Sequence, residues 1–438
     1  MKKRNLNLFF NIFLVLFMSA SLIVSCTDDI TNEDSQTDEV PAYSEDIYEF
    51  DKDDLLQMEE SLIESGYDVS NVSLEESEAQ ATDGMNKVSV PTGMNYVVKA
   101  IKVSTTTTHP NGSGEKIKIS GVILVPKYYF GQLRMLIAPV PTYTANKQAP
   151  SIIFKNLSYK SKDDVNHLYF WTLQALQGFA VLFPDYPGFG DSYDDCFIPY
   201  LVQKPMVSST IDLIKASQKV LTNNKYKYKS ELIITGYSQG AYVSTALTKE
   251  LETNTKHKLN VKLSVLGGTP VNLEQITNRI IESKTLTTPH LIPYALMGFK
   301  HNELNYPINL SDVLNSPYDE KTIEYFNGTY TNVVTKYPKE VDKLFTSEFI
   351  NEFDENPKFD NLHYLLEKNT IQPWKNKCKI YMIHGKNDYC VYYDNAKDFA
   401  NAQNKLGGKI TFKTTSGNHS TAAPAYYLEA SALLLINK

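Results

Sequence analysis

The sequence predicts a three-layer α/β/α core with a mostly parallel central sheet and a helical insert. From about residue 95 onward, short apolar β-prone runs alternate with segments of helical periodicity. Strands joined through helices run parallel and need cover on both faces. Between about 270 and 374 the alternation stops and helical patterns follow one another. One serine between two glycines, "GYSQG" at 236–240, stands where a strand passes into a helix.

The start of the chain is different in kind. Lys2, Lys3 and Arg4 precede the apolar run "LFFNIFLVLFMSASLIV", and Ser25–Cys26 follow. A basic start, an apolar stretch and a small residue describe an export signal, which gives residues 1–25 as a signal peptide. "IVSC" resembles the lipobox of bacterial lipoprotein signals. The resemblance implies cleavage before Cys26, lipid on that cysteine, and anchoring to the bacterial outer membrane. "CTDD" is similar to the acidic stretch after the lipid cysteine of surface-exported lipoproteins in Bacteroidetes-type bacteria. An uncleaved membrane anchor competes with this reading, because the apolar run approaches the roughly 20 residues a membrane helix needs.

Charge divides the 438 residues unevenly. Residues 27–84 carry 20 Asp and Glu against Lys52 alone, a net −19, whereas the chain after residue 84 carries +9. So acidic a run with few aromatics reads as a solvated tether over 26–90. Within it "DDLLQMEESLIESGY" has apolar residues at helical spacing and is a candidate short helix. The mildly basic remainder has no concentrated basic stretch with interleaved aromatics, so a nucleic-acid role has no support. The eight histidines include no HExxH and no cysteine pair has zinc-finger spacing, so no metal is expected. With Cys26 lipidated, Cys196, Cys378 and Cys390 remain, and free thiols are the expectation. A six-residue strand of about 20 Å separates Cys378 from Cys390; Cys196 would reach Cys390 only through long loops.

The body is expected at 91–269 and 375–438. "YVVKAIKVSTTTT" and "KIKISGVILVP" read as strands around the turn "HPNGSGE". "RMLIAPV" is a buried strand, "DDVNHLYFWTLQALQG" a helix stopped by Gly178, and "FAVLFPDYPGFGDS" a strand entering a Gly/Pro loop. "SSTIDLIKASQKVL" is a helix, "ELIITG" a strand, "QGAYVSTALTKELET" a helix and "NVKLSVLGG" a strand. After the insert come "CKIYMIHG", "DNAKDFANAQNKLGG", "KITFKTT" and "YYLEASALLLI", in the order strand, helix, strand, helix. Residues 270–374 are expected to form a helical cap over the sheet, with a separate helical domain as the alternative. In it, "TPHLIPYALMGF" is apolar on nearly every side.

A serine hydroxyl is a weak nucleophile and needs a base within reach and a carboxylate to orient that base. Gly236-Tyr237-Ser238-Gln239-Gly240 has the strand–turn–helix context of a nucleophile elbow. The acid and base should follow on loops after later strands. Asp388 follows "IYMIHG" and His419 follows "KITFKTT", so Ser238, Asp388 and His419 are the expected catalytic residues. His384 is the rival base, read as a packed residue; Asp394 is the rival acid, placed where a helix begins.

With these residues the chain resembles the α/β-hydrolase family from about 95 to 438, and "GYSQG" with "PDYPGFGDS" looks most like its secreted lipase branch. The resemblance implies ester hydrolysis through an acyl-enzyme on a small-molecule ester or lipid, with no cofactor. It also implies an oxyanion hole from the Gln239 N–H and a donor after "RMLIAP". Relatives often have His-Gly there; here "VPTYTAN" offers the Thr142 or Tyr143 N–H, or the Tyr143 hydroxyl as in prolyl-oligopeptidase-like relatives. Asp185 resembles a structural residue of the family. An acyl pocket is expected along Leu291, Leu296, Met297 and Phe299. A serine peptidase, with acids such as "EFDE" at 352–355 holding a peptide terminus, is one alternative; a ligand-binding lipoprotein with a vestigial triad is the other.

Overall fold

A computed structural model describes residues 41–69, 96–156 and 162–437. The signal peptide, Cys26 and residues 27–40 and 70–90 of the expected tether lie outside the described residues.

The acidic arm is not wholly a tether. Tyr43–Phe50 form an edge strand, β1, antiparallel to β2 (Val98–Thr108), and Lys52–Glu64 form a helix, α1. Asp51 caps α1 by accepting from the Asp53 and Asp54 N–H groups, both at 3.0 Å. Leu55, Met58 and Leu62 lie on one face at helical spacing and are fully buried, as is Phe50. Charge outweighed this apolar stripe in the sequence reading. Glu45, Asp46, Glu49, Asp51, Asp53, Glu60 and Glu64 are exposed, although Glu59 is buried beside the apolar stripe, so net charge did not prevent a buried face.

β2 and β3 (Lys116–Pro126) pair antiparallel from Val98 against Pro126 to Thr108 against Lys116. Their turn uses Gly112 and Gly114 at φ +79° and +84°. β4 (Arg134–Ile137), β5 (Phe179–Pro184), β6 (Glu231–Tyr237), β7 (Asn260–Gly267), β8 (Lys379–Gly385) and β9 (Ile410–Thr415) run parallel. The order of the described strands is β1-β2-β3-β5-β4-β6-β7-β8-β9. Leu232, Ile233 and Ile234 of β6 are all buried, because a parallel sheet is covered on both faces and its strands are apolar throughout.

The covering helices are α2 (Pro150–Lys155), α3 (Lys162–Ala175), α4 (Gln203–Asn223) and α5 (Gln239–Thr253) before the insert. The insert between β7 and β8 holds α6 (Leu273–Ile281), α7 (Leu291–Asn302), α8 (Tyr318–Tyr325), α9 (Ser347–Glu352) and α10 (Asp360–Asn369), with shorter turns between. Two helices, α11 (Tyr393–Lys405) and α12 (Ala423–Ile436), follow it. "YPKEVDKLFTSEFINEF" is not one helix: Phe345 is extended, and the Thr346 hydroxyl caps α9 by accepting from the Phe349 N–H at 3.1 Å.

The insert is tied to the sheet-covering elements by hydrogen bonds. The Tyr242 hydroxyl of α5 donates to the Asn369 carbonyl at 2.5 Å, and Asn395 Oδ1 accepts from the Val271 and Asn272 N–H groups at 2.9 and 3.2 Å. Cys196, Cys378 and Cys390 are free. No described helix is long and apolar enough to cross a membrane.

β1 generates the first prediction. Phe50 is fully buried and meets Phe154 edge-on, with ring centroids 5.8 Å apart. Phe50→Ala should lower the unfolding free energy by about 3–5 kcal/mol, read from the urea midpoint; an unchanged midpoint would return this segment to a tether.

Candidate active site

Ser238 stands at the crossing from β6 to α5 with φ 57° and ψ −122°. An L residue held there stores of order 1–3 kcal/mol, so the surroundings must enforce it. Its N–H donates to the Gly267 carbonyl of β7 at 2.9 Å, and its carbonyl accepts from the Tyr242 N–H at 3.0 Å. A Cβ on Gly236 would run into the backbone of Gly240, and one on Gly240 into the carbonyl of Pro139. Both glycines are therefore required by close backbone approach. The turn lifts the hydroxyl clear of the strand and points the N-terminus of α5, with its partial positive charge, beside it.

His419 and Asp388 come from the loops after β9 and β8. The Tyr237 hydroxyl donates to the His419 carbonyl at 2.5 Å, and Asn418 Oδ1 accepts from the Ser420 and Thr421 N–H groups at 3.1 and 3.0 Å. These bonds fix the loop that carries the imidazole. Asp388 Oδ1 accepts from the Cys390 and Val391 N–H groups at 3.0 and 2.9 Å. Its Oδ2 lies 2.6 Å from His419 Nδ1, and His419 Nε2 lies 2.9 Å from Ser238 Oγ. With the Nδ1 proton directed to the carboxylate, Nε2 is the acceptor for the serine proton.

The Asp388 side chain has no exposed surface. Burial alone would raise its pKa, but hydrogen bonds from His384 and His419, and their charge, hold it well below the usual carboxylate range. His384 is packed, as its place in the strand suggested, and its Nε2 lies 2.9 Å from the Val391 carbonyl and 3.3 Å from Asp388 Oδ2. Asp394 is exposed in the first turn of α11. Asp185 is buried between β3 and α2, accepting from the Ser120 hydroxyl and from the Ser151 N–H at 2.9 Å.

An apolar cavity opens at Ser238 and Gln239 and runs between α6 and α7. Leu291 and Phe299 line it, together with Ala295 between them. Leu296 and Met297 do not: they are buried on other sides of α7, since successive residues of a 3.6-residue turn point in different directions. Leu273, Ile276 and Ile280 form the facing wall. The sequence reading missed them, although their i, i+3, i+7 spacing marked an apolar stripe. Tyr200 and Cys390 also line the cavity, and sequence periodicity held no signal for either.

Gln239 opens α5, so its N–H has no acceptor within the helix. The Thr142 hydroxyl meets that of Tyr200 at 3.2 Å. The Tyr143 hydroxyl is not presented to the serine. It is buried and paired at 2.6 Å with Nε2 of His167, whose pKa burial pushes down to about 3. The "EFDE" acids are absent from the cavity lining.

Residues 166–433 match the family described as secretory lipase. No curated protein matches the chain. Among solved structures, a Legionella pneumophila protein aligns with 17% identity and TM-score 0.72, over 90% of this chain and 97% of its own. The rice cell wall degrading esterase LipA from Xanthomonas oryzae, in a ligand-bound form, aligns with 21% identity and TM-score 0.70, over 91% and 96%. Candida antarctica lipase A in its closed state aligns with 18% identity and TM-score 0.59, over 77% and 78%. At these identities the likeness is one of fold, the α/β-hydrolase fold.

The depressed Asp388 carboxyl has a pH consequence of definite sign. A carboxyl with a lowered folded-state pKa stabilises fully above its ordinary value of about 3.9, and loses that contribution as pH falls further. Asp388→Asn should therefore flatten the fall in urea stability below about pH 4. An acid limb identical to wild type would mean the carboxylate is not preferentially ionised in the fold.

Proposed function

The chain belongs to the secretory lipase family, and from that premise we propose that Ser238, His419 and Asp388 carry out its ester hydrolysis through an acyl-enzyme. The protein is a carboxylic ester hydrolase of the α/β-hydrolase fold. In the proposed reaction His419 Nε2 takes the proton of Ser238 as Oγ attacks the ester carbonyl. Asp388 keeps the imidazole oriented and stabilises its cation. The N–H of Gln239, with that of Thr142 or Tyr143, receives the charge on the carbonyl oxygen. His419 then protonates the departing alkoxide, and water, activated by the same base, releases the acid.

The observation that carries this reading is the unbroken hydrogen-bond path from the buried Asp388 through His419 to Ser238, at 2.6 and 2.9 Å, at the mouth of an apolar cavity. The apolar walls favour an acyl chain, each methylene taken out of water contributing about 0.8 kcal/mol. A peptidase would need a polar anchor for a chain terminus, and the expected acids do not line the cavity. We read residues 270–374 as the cap that supplies these walls.

A panel of p-nitrophenyl esters from acetate to palmitate tests both parts. Ser238→Ala should lower kcat by roughly 10⁶-fold; retention of a tenth of the activity would remove the serine from the mechanism. Phe299→Asp should reduce kcat/KM for long chains far more than for acetate, whereas an equal loss at every length would make this residue cap core.

Export accords with the family, and we propose in addition that Cys26 carries lipid and tethers the enzyme to the outer membrane at the cell surface. The "IVSC" sequence supports this. Cys26→Ser should move the protein from membrane to soluble fractions or block its processing; unchanged fractionation argues for a plain membrane anchor.

A further inference from the structure

The acyl cavity and the loop assigned to the oxyanion meet through one helix. α7 turns Leu291, Ala295 and Phe299 to the cavity, while Tyr294 leaves it on another side. The Tyr294 hydroxyl donates to the Tyr143 carbonyl at 2.8 Å. Its ring stacks between Tyr200, with centroids 4.2 Å apart, and Phe326, with centroids 4.3 Å apart and planes within 1°. The N–H of the same peptide unit, that of Thr144, donates to Gln148 Oε1 at 3.0 Å. A peptide unit is planar, so one partner on each side sets its orientation. That orientation constrains the backbone of Tyr143, whose own N–H belongs to the preceding unit. Tyr294 is 1% exposed, so solvent does not stand in for its hydroxyl.

We propose that Tyr294 is a positioning residue for the oxyanion, holding from the cavity-lining helix the loop that contributes the Thr142 or Tyr143 N–H. The proposal rests on Ser238 as nucleophile and on that loop as donor. Tyr294 itself touches no substrate. An acyl chain lying along Leu291, Ala295 and Phe299 braces the helix that holds the loop, so part of the acyl binding energy is expressed in kcat as well as in KM. Tyr200 adds a parallel link, since it lines the cavity and its hydroxyl meets Thr142 Oγ1.

Tyr294→Phe in the full-length protein keeps the stacked ring and removes only the hydroxyl. Loss of one neutral hydrogen bond corresponds to roughly a fivefold effect. For p-nitrophenyl butyrate, kcat should fall by about that factor while KM stays within about twofold. Affinity for butylboronic acid should fall in step, because its tetrahedral adduct on Ser238 puts an oxygen where the oxyanion forms. The rise of kcat with acyl length should flatten. Titration of active sites with a p-nitrophenyl phosphonate gives kcat per folded site, so a partly unfolded preparation still reports. Unchanged kcat and boronate affinity overturn the proposal, as does a rise in KM alone, which would make α7 a cavity wall only. Ser238→Ala serves as the control: if it retains turnover, the underlying reading falls and takes the proposal with it. If Ser238→Ala is inactive while Tyr294→Phe binds boronate like wild type, only the role of Tyr294 is lost.

Discussion

The close backbone approach at the β6–α5 turn is the constraint on which the rest of the site depends. Ser238 holds a positive φ because its N–H is taken by Gly267 of the neighbouring strand and the helix begins immediately after it. The turn is so tight that Gly236 and Gly240 nearly touch, and the Pro139 carbonyl lies against Gly240. One contact thus sets three things together: the exposure of the serine, the start of α5, and the distance from α5 to the loop after β4.

Around that turn, polar groups are buried in pairs of matched character. Asp388 would be costly to bury as an anion alone. Two backbone N–H groups and two imidazoles surround it, and these stabilise the charge that burial opposes. His167 shows the opposite solution: burial keeps it neutral, and it pairs with the Tyr143 hydroxyl. Charge is retained on Asp388, which pairs with His419, and withheld from His167, which pairs with the Tyr143 hydroxyl.

The insert contributes to the site through the faces of its helices. α6 and α7 bring apolar stripes together as the two walls of one cavity. α7, apolar nearly all round, contacts different neighbours on different sides: the cavity through Leu291 and Phe299, and the loop after β4 through Tyr294. An all-apolar segment of this kind is buried on every side, so its composition announces burial without saying which side faces a ligand.

Strand and helix periodicity, the glycines around Ser238 and the order Ser238, Asp388, His419 were local patterns. Local patterns are what a sequence displays directly, so the parallel sheet and the catalytic candidates could be read from it. The acidic arm misled because net charge is a sum over a segment, whereas the place of β1 and α1 in the fold depends on Phe50, Leu55, Met58 and Leu62 sharing a buried face. Leu296 and Met297 were assigned to the cavity for the same kind of reason. Hydrophobicity is a property of the residue, but facing is a property of the helix once docked. The pairing of Tyr143 with His167 and of Tyr294 with the Tyr143 carbonyl joins residues 24 and 151 positions apart. Such contacts exist only after the sheet, the loop and the insert have packed together, so the sequence determined which groups could act and the tertiary structure decided which of them meet.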